Sequence, residues 1–60
     1  FNPKNIVMKT FLIDGWYRYR GEKFVESIYI ECSNAEKAIS LFKAHFANYS
    51  FFKIEVKKEP

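Results

Sequence analysis

The chain has one cysteine, one histidine, two glycines and two prolines among its 60 residues. The lone Cys32 excludes an internal disulfide, and without a cluster of Cys and His side chains we expect no metal site and no cofactor. No apolar run reaches the ~20 consecutive residues that a membrane-spanning helix needs. No basic stretch leads into an apolar signal region either. These absences predict a cytoplasmic protein with no membrane contact.

The composition is that of a folded domain, with 48% hydrophobic and 20% aromatic residues. A chain of this length forms one domain and buries roughly 60% of the surface that its unfolded form exposes, so its stability is marginal. With no disulfide or metal for support, self-association or a partner protein is the expected addition. The formal charge of +3 permits a nucleic-acid partner without requiring one.

We expect a single domain over residues 1–60, with its folded core over residues 8–57. Residues 1–7 include Asn2, Pro3 and Asn5, which suit a loose arm. Met8 is a possible natural start of translation, and the residues before it would then be a vector remnant or a fragment of a longer segment.

Two stretches alternate between apolar and polar side chains with the period of β-strands. The first covers residues 7–20 and the second residues 24–32. Gly15 interrupts the apolar side of the first stretch and predicts a bend or bulge there.

The connection between these strands predicts their register. Gly21 can take the positive φ that the first central position of a type II′ turn demands. Such a turn pairs Arg20 with Lys23 and sets Ile13 opposite Ile30, so that the apolar sides of the two strands coincide.

A helix and a third strand follow. Ser33 and Glu36 have the spacing of a capping box, and apolar residues recur at helical spacing up to about Ala47. Residues 50–57 resume the strand period. The β-β-α-β order with a right-handed crossover predicts an α+β domain, with a three-stranded antiparallel sheet of order 2-1-3 and one helix packed on one face.

The second face of this sheet has no predicted cover. It combines apolar side chains with a basic fringe, and a contiguous apolar patch of several hundred Å² usually marks a contact surface. The candidate binding residues are Leu12, Trp16, Arg18, Arg20, Val25, Tyr29, Phe51, Lys53 and Lys57.

This face suits more than one function. Trp, Tyr and Arg dominate the hot spots of protein interfaces, so we expect a small non-enzymatic module for protein–protein contact or homo-oligomerisation. Aromatic rings beside cations also suit single-stranded RNA or DNA, although Asp14, Glu31 and Glu55 on this face would repel phosphate. An accessory protein that a phage or mobile element directs at a host factor fits the size too. Aromatic pairs that only stabilise the sheet are the remaining explanation.

No catalytic residues are expected. Cys32 ends the second strand and His45 lies near the other end of the helix, whereas a nucleophile needs a base within hydrogen-bond reach. We expect Cys32 to be a small buried residue and His45 to be structural. Asp14 and Glu31 on a flat sheet lack the pocket that tunes an acid–base pair. The sequence predicts neither an enzyme nor a small-molecule substrate.

Four segments together resemble the small ribosomal LX-type ββαβ domains. They are Ile13-Asp14-Gly15-Trp16-Tyr17, the second strand, Asn34-Ala35-Glu36-Lys37-Ala38-Ile39 and Lys53-Ile54-Glu55-Val56. The resemblance covers most of residues 10–57 and implies RNA-associated assembly. The chain lacks the basic cluster that such proteins would use on ribosomal RNA, so no binding residue is carried over.

Overall fold

A computed structural model describes residues 7–59, which form a sheet of three strands and one helix. In chain order the elements are β1 (Lys9–Tyr19), β2 (Glu22–Cys32), α1 (Ala35–His45) and β3 (Lys53–Lys58). The strand order is β2-β1-β3, and both neighbouring pairs are antiparallel. The predicted α+β class, element order and sheet order are confirmed. Apart from Val7, the expected arm over residues 1–7 lies outside the described residues.

The β1–β2 hairpin closes through a different turn from the predicted one. Arg20 and Gly21 both have positive φ, at 54° and 83°, which is the requirement of a type I′ turn. The pair that closes the loop is Tyr19 and Glu22, and Ile13 lies opposite Ile28 instead of Ile30. The predicted register was therefore wrong by two residues. Because side chains alternate with period two, an even shift leaves every residue on its predicted face.

The core lies between α1 and one face of the sheet. Its buried apolar members come from β1, from the end of β2 and from the inner stripe of the helix. They are Phe11, Ile13, Cys32, Ala38 and Phe42. Burying a side chain of the size of Ile or Phe contributes about 1.5–3 kcal/mol, so this small set supplies much of the stability of the domain.

Gly15 is where the core packs most closely against the sheet. A Cβ atom placed on Gly15 would lie 2.5 Å from Cε1 of Phe42 and 2.8 Å from Cε1 of Phe51. The missing side chain thus makes room for two aromatic rings. Gly15 keeps its place in both strand pairings, and the irregularity of the β1–β3 pairing lies between Leu12 and Ile13. A bulge at Gly15, one of the two predicted irregularities, is wrong for this reason.

The helix begins one residue later than the capping box predicts. Asn34 is the N-cap, and its side-chain oxygen accepts a hydrogen bond from the backbone N–H of Lys37 at 2.8 Å. The predicted Ser33–Glu36 box is therefore wrong, because Glu36 then occupies the second position of the helix. At the other end, the N–H of Phe46 donates to the Phe42 carbonyl at 3.0 Å. No helix within the described residues is long and apolar enough to cross a membrane.

Candidate functional site on the open sheet face

The face of the sheet opposite α1, called the open face below, carries two cross-strand pairs of large side chains. Leu12 lies directly opposite Tyr29, and Trp16 lies directly opposite Val25. Tyr29 is 68% exposed and Val25 is 42% exposed. The sequence-based register placed both Val25 and Tyr29 diagonal to Trp16, whereas in the observed register only Val25 adjoins Trp16 and Tyr29 lies beyond the Asp14–Ser27 pair. Directly opposed side chains have Cβ atoms about 4.5–5.5 Å apart, so each pair forms one apolar contact. The two pairs, together called the patch below, lie on either side of the Asp14–Ser27 pair.

Phe51 does not belong to the open face, contrary to the prediction. Its ring lies 5.1 Å from that of Phe42, on the helix side. Phe52 takes the place on the open face, where it is 54% exposed and the guanidinium of Arg18 lies 5.3 Å from its ring centroid. The backbone N–H of Phe52 donates to the Trp16 carbonyl at 2.9 Å. β3 begins at Lys53, so strand alternation does not govern the two residues before it.

An aromatic cluster on the helix side explains why Phe51 turns inward. The Phe51 ring stacks on Tyr49 at 5.4 Å between centroids and meets the edge of Phe46 at 5.8 Å. It also fills part of the gap above Gly15. The signal in the sequence is the glycine on the apolar side of β1, because a gap in the core must be filled by a large ring from a neighbouring segment.

Basic side chains border the patch at the hairpin end of the sheet. Lys53 lies opposite Trp16 on β3, and its Nζ is 3.9 Å from Oε2 of Glu55. Lys23 lies opposite Arg18 on β2 and was missed as a candidate, because the predicted turn placed it next to the loop. The open face therefore presents a cationic border beside the exposed rings.

Two predicted basic residues do not take their expected positions. Arg20 lies in the turn, and its guanidinium is 5.3 Å from the ring centroid of Tyr19 instead of beside the patch. Lys57 is the extra residue at the irregularity of the β1–β3 pairing, so Lys58 takes the position opposite Leu12. Arg20 is displaced by the type of turn and Lys57 by the irregular β1–β3 pairing. The alternation of apolar and polar residues predicts neither feature.

Asp14 lies in the middle of the open face but is only 6% exposed. The hydroxyl of Ser27, which lies directly opposite on β2, donates to Oδ1 of Asp14 at 2.6 Å. Asp14 is therefore held within the surface by Ser27, whereas Glu31 is exposed to solvent.

The indole of Trp16 is partly covered, and its Nε1 atom is buried with no hydrogen-bond partner among the described residues. A buried donor without an acceptor costs about 1–3 kcal/mol. Such groups concentrate at strained or functional positions.

Four side chains with polar groups on the helix side make contacts within the fold. The hydroxyls of Tyr17 and Tyr49 lie 3.5 and 3.4 Å from Oε2 of Glu26. Desolvation among the rings, followed by the negative charge of Glu26, raises the pKa of Tyr17. Cys32 donates from Sγ to the Asn34 carbonyl at 3.1 Å. The ring of His45 meets the edge of Phe46 at 4.7 Å.

Comparison with protein-family models, curated proteins and solved structures gives no significant match to the chain. The structural class of the protein therefore follows from its fold alone: it is an α+β domain of β-β-α-β order with an open sheet. The resemblance to ribosomal LX-type domains stays a prediction.

Proposed function

We propose that the protein is a small binding module whose open face makes protein–protein contacts, with a partner protein or with a second copy. The observation that carries this proposal is the pairing of Leu12 with Tyr29 and of Trp16 with Val25 on a face that no element within residues 7–59 covers. Exposed apolar patches bordered by polar groups mark interaction sites.

The chemistry of the patch supports a protein partner. Trp16 and Tyr29 supply large contact areas with few rotatable bonds, and Arg18 is pre-oriented by its position over Phe52. These residue types are enriched at interface hot spots. The buried N–H of Trp16 offers a partner one further donor if the indole shifts on binding. The proposal includes the cytoplasmic location and the lack of catalysis expected from the sequence.

One label reports directly on this surface, because Trp16 is the sole tryptophan of the chain. We would replace it with fluorotryptophan and record fluorine NMR spectra across protein concentration and in extract of the cell that makes the protein. The signal should shift or broaden when the open face is covered. Tyr29→Ser should reduce that change. The matched control is Leu41→Ser, which removes an apolar side chain 45% exposed on the helix.

The control should behave like the parent chain. A signal that stays unchanged up to hundreds of micromolar and in extract would end the proposal. So would an equal effect of both serine variants, since the contact would then not lie on the open face.

Single-stranded RNA or DNA is the second candidate ligand, favoured by the position of Lys53 opposite Trp16 and of Lys23 opposite Arg18. Bases would stack on the rings while these cations meet phosphates. We rank it second because Glu31 and Glu55 share the face. Three phosphate contacts predict a slope of about −2 in log affinity against log salt, from roughly −0.7 per phosphate on single strands. Unquenched Trp16 fluorescence with oligonucleotides at low salt would eliminate this candidate.

A further inference from the structure

The two edges of the sheet differ in how well they are protected. β3 has 6 residues, an irregular pairing with β1, and three lysines. Short length, bulges and lysines are the devices that keep edge strands from pairing with other chains. β2 has 11 residues that pair with β1 without interruption, and it contains neither proline nor glycine. Among the described residues, no strand lies along its other side.

The hairpin turn determines which backbone groups of β2 point outward. In a two-residue hairpin the pair that closes the loop, here Tyr19 and Glu22, is hydrogen-bonded, and hydrogen-bonded pairs then alternate with non-bonded ones. The even residues of β2 therefore bond to β1. The odd residues direct their N–H and C=O groups toward the outer edge, and their side chains belong to the open face. They are Lys23, Val25, Ser27, Tyr29 and Glu31.

We propose that β2 pairs with β2 of a second copy, antiparallel and centred on Ser27, to form a continuous six-stranded sheet. This register sets Lys23 opposite Glu31 of the second copy, Val25 opposite Tyr29 of the second copy, and Ser27 opposite its own symmetry mate. Two-fold symmetry repeats each pair. All five outward residues then form hydrogen-bonded pairs, and the two opposite-charge pairs are favourable cross-strand neighbours.

The charges select this register. Centring on Glu26 would place that carboxylate against its own symmetry mate. Centring on Ile28 would set Glu31 against Val25. A slip by one residue would place the two open faces on opposite sides of the joined sheet. Only the register centred on Ser27 joins Lys23 with Glu31 and keeps both open faces on one side.

The helices leave room for this assembly. α1 packs over all three strands, so its axis lies on average above β1. In the joined sheet the two β1 strands are three strand spacings apart, about 14 Å at ~4.8 Å per spacing. Packed helices need only about 8–10 Å between axes. Nothing on the helix side therefore prevents the strands from meeting.

Self-pairing through this edge would also enlarge the open face. Across the new junction, Tyr29 of one copy lies opposite Val25 of the other, so the Leu12–Tyr29 pair and the Val25–Trp16 pair of the second copy form one row of four side chains. The two-fold symmetry produces a second, identical row. The inference goes beyond the proposed function, because it assigns the edge of β2 to self-association and leaves the joined open face for a partner.

Charge reversal tests the pairing. Lys23→Glu alone creates two Glu–Glu contacts per dimer, and Glu31→Lys alone creates two Lys–Lys contacts. Each variant should raise the dimer dissociation constant about ten-fold or more, which corresponds to about 1.4 kcal/mol. The double variant should return to the parent value. An equimolar mixture of the two single variants should form a heterodimer as stable as the parent dimer, because every reversed charge then meets an opposite one.

The measurement is sedimentation equilibrium at low salt, with Lys58→Glu on the opposite edge as the control for net charge. Far-UV circular dichroism shows that each variant is folded, which is expected because both sites are exposed. A monomer at hundreds of micromolar would overturn the inference. Single variants that dimerise like the parent chain would also overturn it.

The edge and the open face are separable in this experiment. If Trp16→Ala abolishes the dimer while charge reversal has no effect, copies meet through their open faces, and the proposed function stands without the edge pairing. If charge reversal acts as expected and Trp16→Ala leaves the dimer intact, the edge pairing stands, and the open face is left to another partner.

Discussion

Gly15→Ala tests the packing that decides which residues reach the open face. The new methyl group would lie 2.5 and 2.6 Å from Cε1 and Cζ of Phe42 and 2.8 Å from Cε1 of Phe51. Phe42 is fully buried and cannot move without disturbing the core. Overpacking of this kind costs about 1–3 kcal/mol. The greater stiffness of alanine in the unfolded chain offsets roughly 0.5–1 kcal/mol of it.

The net expectation is a loss of about 1–2 kcal/mol in the free energy of unfolding, from the two terms above. In a domain of this size each kcal/mol lowers Tm by about 4–8 °C, so the variant should melt roughly 5–15 °C below the parent. Thermal and urea denaturation, followed by circular dichroism and Trp16 fluorescence, measure both quantities.

A second substitution separates overpacking from other effects of alanine. In a Phe42→Leu background the methyl group of Gly15→Ala has fewer ring atoms to meet, so its cost should fall by at least half. An unchanged or raised Tm in Gly15→Ala would refute the reasoning. It would mean that the rings do not depend on the glycine and that the inward turn of Phe51 has another cause.

Three further predictions concern single contacts. Ser27→Ala removes the donor to buried Asp14 and should cost about 1–3 kcal/mol in urea unfolding; a loss no larger than that of an ordinary surface change would contradict the contact. Asn34→Ala should lower the free energy of unfolding by about 1 kcal/mol because the N-cap is lost, whereas Ser33→Ala should change it little. A larger loss for Ser33→Ala than for Asn34→Ala would support the predicted Ser33–Glu36 capping box instead. The raised pKa of Tyr17 means that the folded state holds this proton more tightly than the unfolded state. The free energy of unfolding should therefore fall as pH rises above 10.0, the ordinary pKa of tyrosine. If the free energy of unfolding of Tyr17→Phe falls equally over the same pH range, this prediction is contradicted.

The sequence predicts the faces of the strands more reliably than it predicts their register. Alternation places Ile13 inward and Trp16 outward whichever residues lie opposite them, because an even register shift preserves the faces. The choice between type I′ and type II′ turns depended on the φ of Arg20, which is 54°. A positive φ is uncommon for a residue with a Cβ atom, so the sequence pattern favoured Gly21 alone.

The candidate site was predicted where its residues lie within regular strands. Leu12, Trp16, Val25 and Tyr29 reach the open face as expected. Phe51 does not, because it precedes β3 and packs into the gap above Gly15. That placement depends on the volume between three segments distant in sequence, which no local period describes. The exchange of Phe51 for Phe52 is the main correction to the predicted surface.

The claim that the open face makes protein contacts is tested most directly by site-specific photo-crosslinking in the cell that makes the protein. A photoreactive amino acid replaces Tyr29 on the open face, or Leu41 on the helix as the control. Crosslinks to a partner protein or to a second copy are expected from the first position and not from the second, and Leu12→Ser should weaken them. Equal crosslinking from both positions, or none from Tyr29, would contradict the account.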